Sequence, residues 1–178
     1  LTLIKRTHRR LICAPFWACL RLALILALAA CAKPPAAQET YAVGQTAEVD
    51  GWKITVHGLF PVEGDEWHQP ADGHIFCAVE LTLENTSDRI RYVMAEKQMQ
   101  LLDAANHPYA AGRDAGVMAA RSRQWYVPQG EVGVGKVLHG AAAYEIPADA
   151  RGLRWTLRTG LLPWSKTVTF ALGDVPPE

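Results

Sequence analysis

Six side chains with ligand or acid–base chemistry fall within one short stretch, residues 61–74: Glu63, Asp65, Glu66, His68, Asp72 and His74. Carboxylates and imidazoles converging on a loop can hold a divalent cation. Their spacing matches neither a calcium loop nor His-Glu-x-x-His. Metal binding by this loop therefore stands only as an alternative to a solvated acidic loop, and no metal ligands are assigned. Copper would want clustered thioethers and imidazoles, whereas Met94, Met99 and Met118 are scattered and no His-x-Met occurs. No Gly-x-Ser-x-Gly is present, and Ser87, Ser122 and Ser165 have no recognisable base beside them. The expectation is a protein that is not an enzyme and uses no cofactor.

Cysteine is the other residue type with chemistry to offer. The run Leu22 to Ala30 follows a segment carrying Lys5, Arg6, Arg9, Arg10 and Arg21, and it closes on Leu28-Ala29-Ala30-Cys31. Positive, apolar, small, then cysteine is the order of a lipoprotein signal peptide. The last four residues resemble the lipobox, whose cysteine is acylated and becomes the mature N-terminus. The run is well short of the roughly 20 residues of a spanning helix. Extending it backwards would place Arg21 near mid-membrane, at about 2.5–3.5 kcal/mol. Residues 1–30 are thus expected to form a signal peptide with a signal helix, with Cys31 as the lipidation site. The membrane becomes a partner through that lipid, and the chain a palmitate-type cell-envelope lipoprotein. In a Gram-negative cell, Ala32 rather than Asp after the lipidated residue resembles outer-membrane sorting, facing the periplasm. Cys13 and Cys19 leave with the signal, so Cys77 stands alone and no intramolecular disulfide can form.

All 18 acidic residues follow Cys31, while five of the 18 basic ones precede it, leaving a net charge of −5 from Cys31 onward. Nucleic acid is excluded as a partner, because its binding needs clustered Lys and Arg. Nor does that overall charge give a reason for the domain to adhere to anionic lipid. Residues 31–40 contain the Pro34-Pro35 pair and no periodicity, and read as a flexible tether. Extended, they span roughly 30 Å at about 3.3 Å per residue. Residues 41–178 are the domain.

The positioning elements are β-strands. After the Asp50-Gly51 turn, a strong hairpin signal, Trp52, Ile54 and Val56 alternate with Lys53, Thr55 and His57. In the run Ile75 to Asn85, the residues Ile75, Cys77, Val79, Leu81 and Leu83 share one face, and Glu80, Thr82 and Glu84 the other. Cys77 therefore reads as a buried hydrophobe rather than a reactive thiol. Further short strands are expected at Tyr92–Met94, Met99–Leu102, Trp125–Val127, Lys136–Ile146, Leu153–Leu157 and Thr167–Leu172. Pro128-Gln129-Gly130-Glu131 reads as a turn. Residues 61–74 and 110–123 read as two long loops, with only a short helical turn at Val117–Ala120.

Seven to nine strands that each bury one face require two sheets packed together, an all-β antiparallel sandwich. Trp67 and Trp164 lie off the alternating faces, in loops, and are the candidate interaction residues, because sandwiches present loops in groups at their ends. The Arg113, Arg121 and Arg123 group reads as part of a solvated loop, with contact to an anionic partner as the alternative. The function expected is that of a binding or protein-interaction module, its partner an envelope protein or small ligand.

Val43-Gly44-Gln45-Thr46 followed by Gly51-Trp52-Lys53-Ile54-Thr55-Val56 resembles the opening of an uncharacterised family of bacterial immunoglobulin-like lipoprotein domains. Val79-Glu80-Leu81-Thr82-Leu83-Glu84-Asn85-Thr86-Ser87 is similar to that family's central strand, which ends in an Asn-x-Ser/Thr turn. Gly130-Glu131, Tyr144-Glu145-Ile146-Pro147 and Gly152-Leu153 resemble its closing hairpin. The resemblance covers roughly residues 41–172 and implies an immunoglobulin-like fold, shared with a secreted mycobacterial immunoprotective antigen. It implies no catalytic residues. The chain departs from the family in having Pro128-Gln129-Gly130 where Pro-Gly is usual, and in a longer 61–74 loop.

Overall fold

The long alternating runs form the centre of the molecule: β3 (Trp52–Val62) and β4 (His74–Asn85), paired antiparallel over nearly their whole length. The computed structural model describes residues 39–123 and 126–176, so Cys31, the signal segment and Trp125 lie outside the described residues. Flanking the central pair are β2 (Thr46–Val49) and β9 (Val137–Pro147), giving the sheet order β2-β3-β4-β9. A second sheet has the order β1-β11-β10-β6-β7. It contains β1 (Thr40–Ala42), β6 (Met99–Leu102), β7 (Pro108–Ala110), β10 (Leu153–Arg158) and β11 (Thr167–Gly173). A separate ribbon pairs β5 (Arg91–Met94) with β8 (Gln129–Val132), and the short helix α1 (Ala95–Gln98) follows β5.

The two larger sheets bury one continuous core between them, including Ile54, Val79, Leu81, Leu101, Tyr144, Trp155 and Phe170. Each strand hides one face in this way, and together they make an immunoglobulin-like antiparallel β-sandwich. Trp52, Val56, Cys77, Leu83 and Leu157 are buried as the alternation predicts. One pairing breaks the antiparallel rule: β1 runs parallel to β11, with Thr40 opposite Thr169.

Five expectations need correction. Residues 110–123 are not a loop, because Arg113–Arg123 form helix α2. Its Ala115, Met118 and Ala119, spaced i, i+3, i+4, pack on Phe76, Ala78, Ala141 and Ala143 on the outside of the β3–β4–β9 sheet. That packing explains why Ala141-Ala142-Ala143 are all buried: the run faces the core and the helix alternately. The 61–74 segment is shorter than expected, since Pro61 and Val62 belong to β3 and His74 to β4. Gln129–Val132 are strand rather than turn, because β5 supplies a partner far away in sequence. Tyr126 and Val127 are irregular, although the Tyr126 carbonyl accepts the Ala141 N–H at 3.0 Å. The first strand begins at Thr40, the last residue read as tether.

Strand directions give the sandwich two ends. At the entry end lie the first residues of β1 and β11, the Asp50-Gly51 turn, and the connections 86–90, 133–136 and 159–166. At the distal end lie 63–73, 103–107 and 148–152.

Candidate functional site

The 63–73 loop is organised by one carboxylate. Asp65 Oδ1 accepts the backbone N–H groups of Trp67 (2.9 Å) and His68 (2.8 Å), and lies 2.9 Å from His68 Nδ1. Its Oδ2 pairs with the Arg121 guanidinium of α2, and its carbonyl accepts from Gln69 Nε2 at 2.5 Å. An aspartate that accepts two N–H groups close behind it is an Asx-type turn, which the sequence favours locally. The His68 hydrogen bond first, then the Trp67 N–H, hold its carboxyl down at about 2. Farther along the loop, Glu145 Oε1 accepts the Ala71 N–H at 2.8 Å.

Of the six candidate ligand residues, only Asp65 and His68 meet. His74 Nδ1 lies 3.2 Å from the Asp72 carbonyl rather than its carboxylate. Among the described residues, no three His, Cys, Asp or Glu side chains are grouped so as to hold a metal ion.

Beside this tied loop is a groove of about 1010 Å³, lined by Val62, Gln69, Phe76, Arg151 and Val175 among others. Arg151 stands 3.8 Å from Asp174, and Asp174 Oδ1 accepts the Gly152 N–H at 2.7 Å. Trp67 rises from the loop with 80 % of its surface exposed. The loop backbone is fixed while its largest apolar side chain is left unpacked, an arrangement suited to capturing a partner. Trp164 is 78 % exposed but lies in the 159–166 connection, at the opposite end. The two candidate tryptophans therefore do not form one surface. Of the arginine group, Arg121 serves the distal loop.

Sequence reasoning missed a second cluster, on the outer face of the β3–β4–β9 sheet beyond α2. His57 Nε2 lies 2.7 Å from Thr82 Oγ1, and Thr82 Oγ1 lies 3.1 Å from His139 Nδ1. His139 Nε2 lies 3.1 Å from Glu80 Oε1. The Glu80 carboxylate can only accept, so His139 in its neutral form carries its proton on Nε2. Thr82 then donates to His139 Nδ1 and accepts from His57 Nε2–H. Thr82 and His139 are direct cross-strand partners, and His57 lies at the register shift between Val56 and Gly58. The available signal was His57, Glu80 and Thr82 on outward faces; the pairing with His139 needed the register.

Carboxylate, imidazole and hydroxyl stand here in the order of a hydrolytic triad. However, Thr82 sits on a strand whose backbone is paired on both sides, to Thr55 and to His139. The chemistry it supports is hydrogen bonding on an open face.

Cys77 is fully buried, and burial pushes its thiol up to about 12, far from the thiolate that nucleophilic chemistry needs. Ser87 is occupied as a donor to the Asn85 side chain, with its hydroxyl at 2.6 Å.

Comparison with known proteins agrees with this picture of the fold. The model of a family described as a domain of unknown function, DUF4352, matches residues 41–169. Among solved structures, ycdA, a proposed lipoprotein of Bacillus subtilis, superposes with a TM-score of 0.59 at 10 % identity. That match covers 76 % of this chain and 39 % of ycdA, so this chain spans well under half of that protein's length. The yjhA protein of B. subtilis gives 0.56 at 12 % identity, over 75 % of this chain and 99 % of the other. A Bacillus anthracis protein described as conserved and hypothetical gives 0.53 at 18 %, over 76 % and 95 %. At these identities the likeness is one of fold. No curated protein matches the chain.

Proposed function

The chain belongs to the DUF4352 family, and from that premise we propose that it is a lipid-anchored, non-catalytic interaction module of the cell envelope. Residues 1–30 are its signal peptide, Cys31 its acylated residue and residues 32–39 its tether. The distal end presents Trp67 and the adjacent groove to an envelope protein or small ligand. In a Gram-negative cell the module hangs from the outer membrane into the periplasm. The observation that carries this reading is the exposed Trp67 on a loop already locked by Asp65 and Arg121. Binding there orders little that is not ordered beforehand, so most of the contact energy remains available for affinity. Support for the anchor comes from the start of the fold. Tyr41, ten positions after Cys31, already packs on Phe170 with ring centroids 5.5 Å apart.

Photo-crosslinking in intact cells tests the partner claim. A crosslinking residue replacing Trp67 should give a discrete adduct that the same residue at Thr46, on the β2 edge, does not. Equal patterns at both positions, or no adduct at either, would discard the distal site. Labelled palmitate tests the anchor separately, because its incorporation should vanish in Cys31→Ala.

A further inference from the structure

The most apolar exposed stretch of the described residues is at the other end of the molecule. Leu161 and Leu162 are 46 % and 52 % exposed, and Pro163 and Trp164 continue the same tip. A mobile loop could fold such residues away, but this one has a tied stem. The Thr159 N–H donates to the Lys166 carbonyl at 2.8 Å, and the Ser165 N–H to the Leu162 carbonyl at 3.0 Å. The Thr159 hydroxyl donates to Asp50 at 2.9 Å, while Trp52 Nε1 and Arg91 donate to the Thr159 carbonyl. The apolar tip is thus held out in solvent by the sandwich itself.

It is not alone there. Ile90, Val134 and Val137 are also exposed, on or beside the 86–90 and 133–136 connections. These are linked to each other through Asn85, whose side chain donates to the Arg89 and Val132 carbonyls, both at 2.8 Å. The Thr86 N–H donates to the Gly51 carbonyl, which brings in the Asp50–Gly51 turn below Thr159. The three tips 86–90, 133–136 and 160–166 carry Arg89, Lys136 and Lys166 against one acid, Asp88. The three tips are therefore basic, and Asp50 of the adjoining turn is paired by Arg91.

The remaining observation says what covers it. Because β1 runs parallel to β11, with Thr40 opposite Thr169, the chain reaches Thr40 from the side where β11 begins, which is the side of the 159–166 tip. Any lipid on Cys31 is joined to the sandwich at this end, within the roughly 30 Å that nine extended residues can span. Tryptophan and leucine flanked by lysine and arginine are the residues that settle at a membrane interface. We infer that the entry end is a membrane-contacting face, with the Leu161–Trp164 tip seated in the interfacial layer of an anionic phospholipid bilayer. The tether raises the local concentration of bilayer so that an intrinsically weak contact is made. Seating the tip turns the distal end outward, toward a partner. This inference rests on Cys31 being the anchor.

The test uses the full chain expressed in bacteria and purified in its lipidated form. Labelled palmitate is followed first, and it reports on Cys31 alone. The protein is then reconstituted into phosphatidylethanolamine–phosphatidylglycerol vesicles with bromine on a shallow acyl carbon, and tryptophan quenching is read. The wild type should be quenched, Trp164→Phe should lose most of that quenching, and Trp67→Phe should keep it. Palmitate incorporation without Trp164-dependent quenching overturns the membrane face and leaves the anchor standing. Absence of palmitate overturns the anchor and the inference built on it. A dimer in detergent that dissociates on Trp164→Phe, without quenching, shows that a second copy covers the tip and overturns the membrane assignment.

Discussion

The indole Nε1–H of Trp155 donates to the hydroxyl of Tyr144 at 2.7 Å, across the interior from one sheet of the sandwich to the other. Both side chains are fully buried, so this hydrogen bond has no water to compete with it. It fixes how β10 lies over β9, while the surrounding aliphatic contacts would tolerate small slides.

Tyr144→Phe keeps the ring and leaves the indole N–H buried without an acceptor. The expected cost is about 1–3 kcal/mol. It should be read as a lower urea midpoint with an unchanged m-value; an unchanged midpoint would mean that the indole finds another acceptor.

Asn85 performs a comparable task at the entry end. Its amide group donates to two carbonyls, and its oxygen accepts from the Ser87 N–H (3.1 Å) and hydroxyl (2.6 Å), all in a fully buried side chain. Asn85→Ala should destabilise by about 3 kcal/mol, because several buried backbone groups lose their partner at once. Asn85→Asp should be no better tolerated, since it points a second acceptor at those carbonyls. Thermal denaturation of the two variants checks this.

Acid should loosen the distal loop. The Asp65 carboxyl is held at about 2, against an unfolded value near 3.9. Its contribution to stability is complete above the unfolded value and is lost as the pH falls through the folded one. Urea midpoints should therefore hold steady down to about pH 5 and fall between roughly pH 4 and 2. Asp65→Asn should shrink that fall. Asp103, held at about 2 chiefly by the His107 N–H, contributes in the same window, so the fall should shrink without disappearing.

Cys77 should be inert toward a thiol reagent in the folded protein and react fully once urea unfolds it. Its burial between the two sheets and its raised ionisation leave neither access nor thiolate. Reaction at the rate of a free thiol in buffer would contradict the packing of β4.

The two central strands, the buried positions of Trp52, Cys77 and Leu81, and the sandwich class were legible in the residues, because period-2 alternation reports which side of a strand faces away from water. Helix α2 was not legible: its apolar stripe of Ala115, Met118 and Ala119 is weak until an alanine-rich sheet face is seen to fit it. Nor was strand β8, whose short sequence acquires its conformation from β5. Register, which no single strand encodes, decided that His57, Thr82 and His139 meet. Topology decided that Trp67 and Trp164 face opposite ways, and that the chain enters beside the second of them. Alternation is a property of neighbours in sequence, whereas the ends of a sandwich are shared by residues a hundred positions apart; only the folded chain could show which loops share an end.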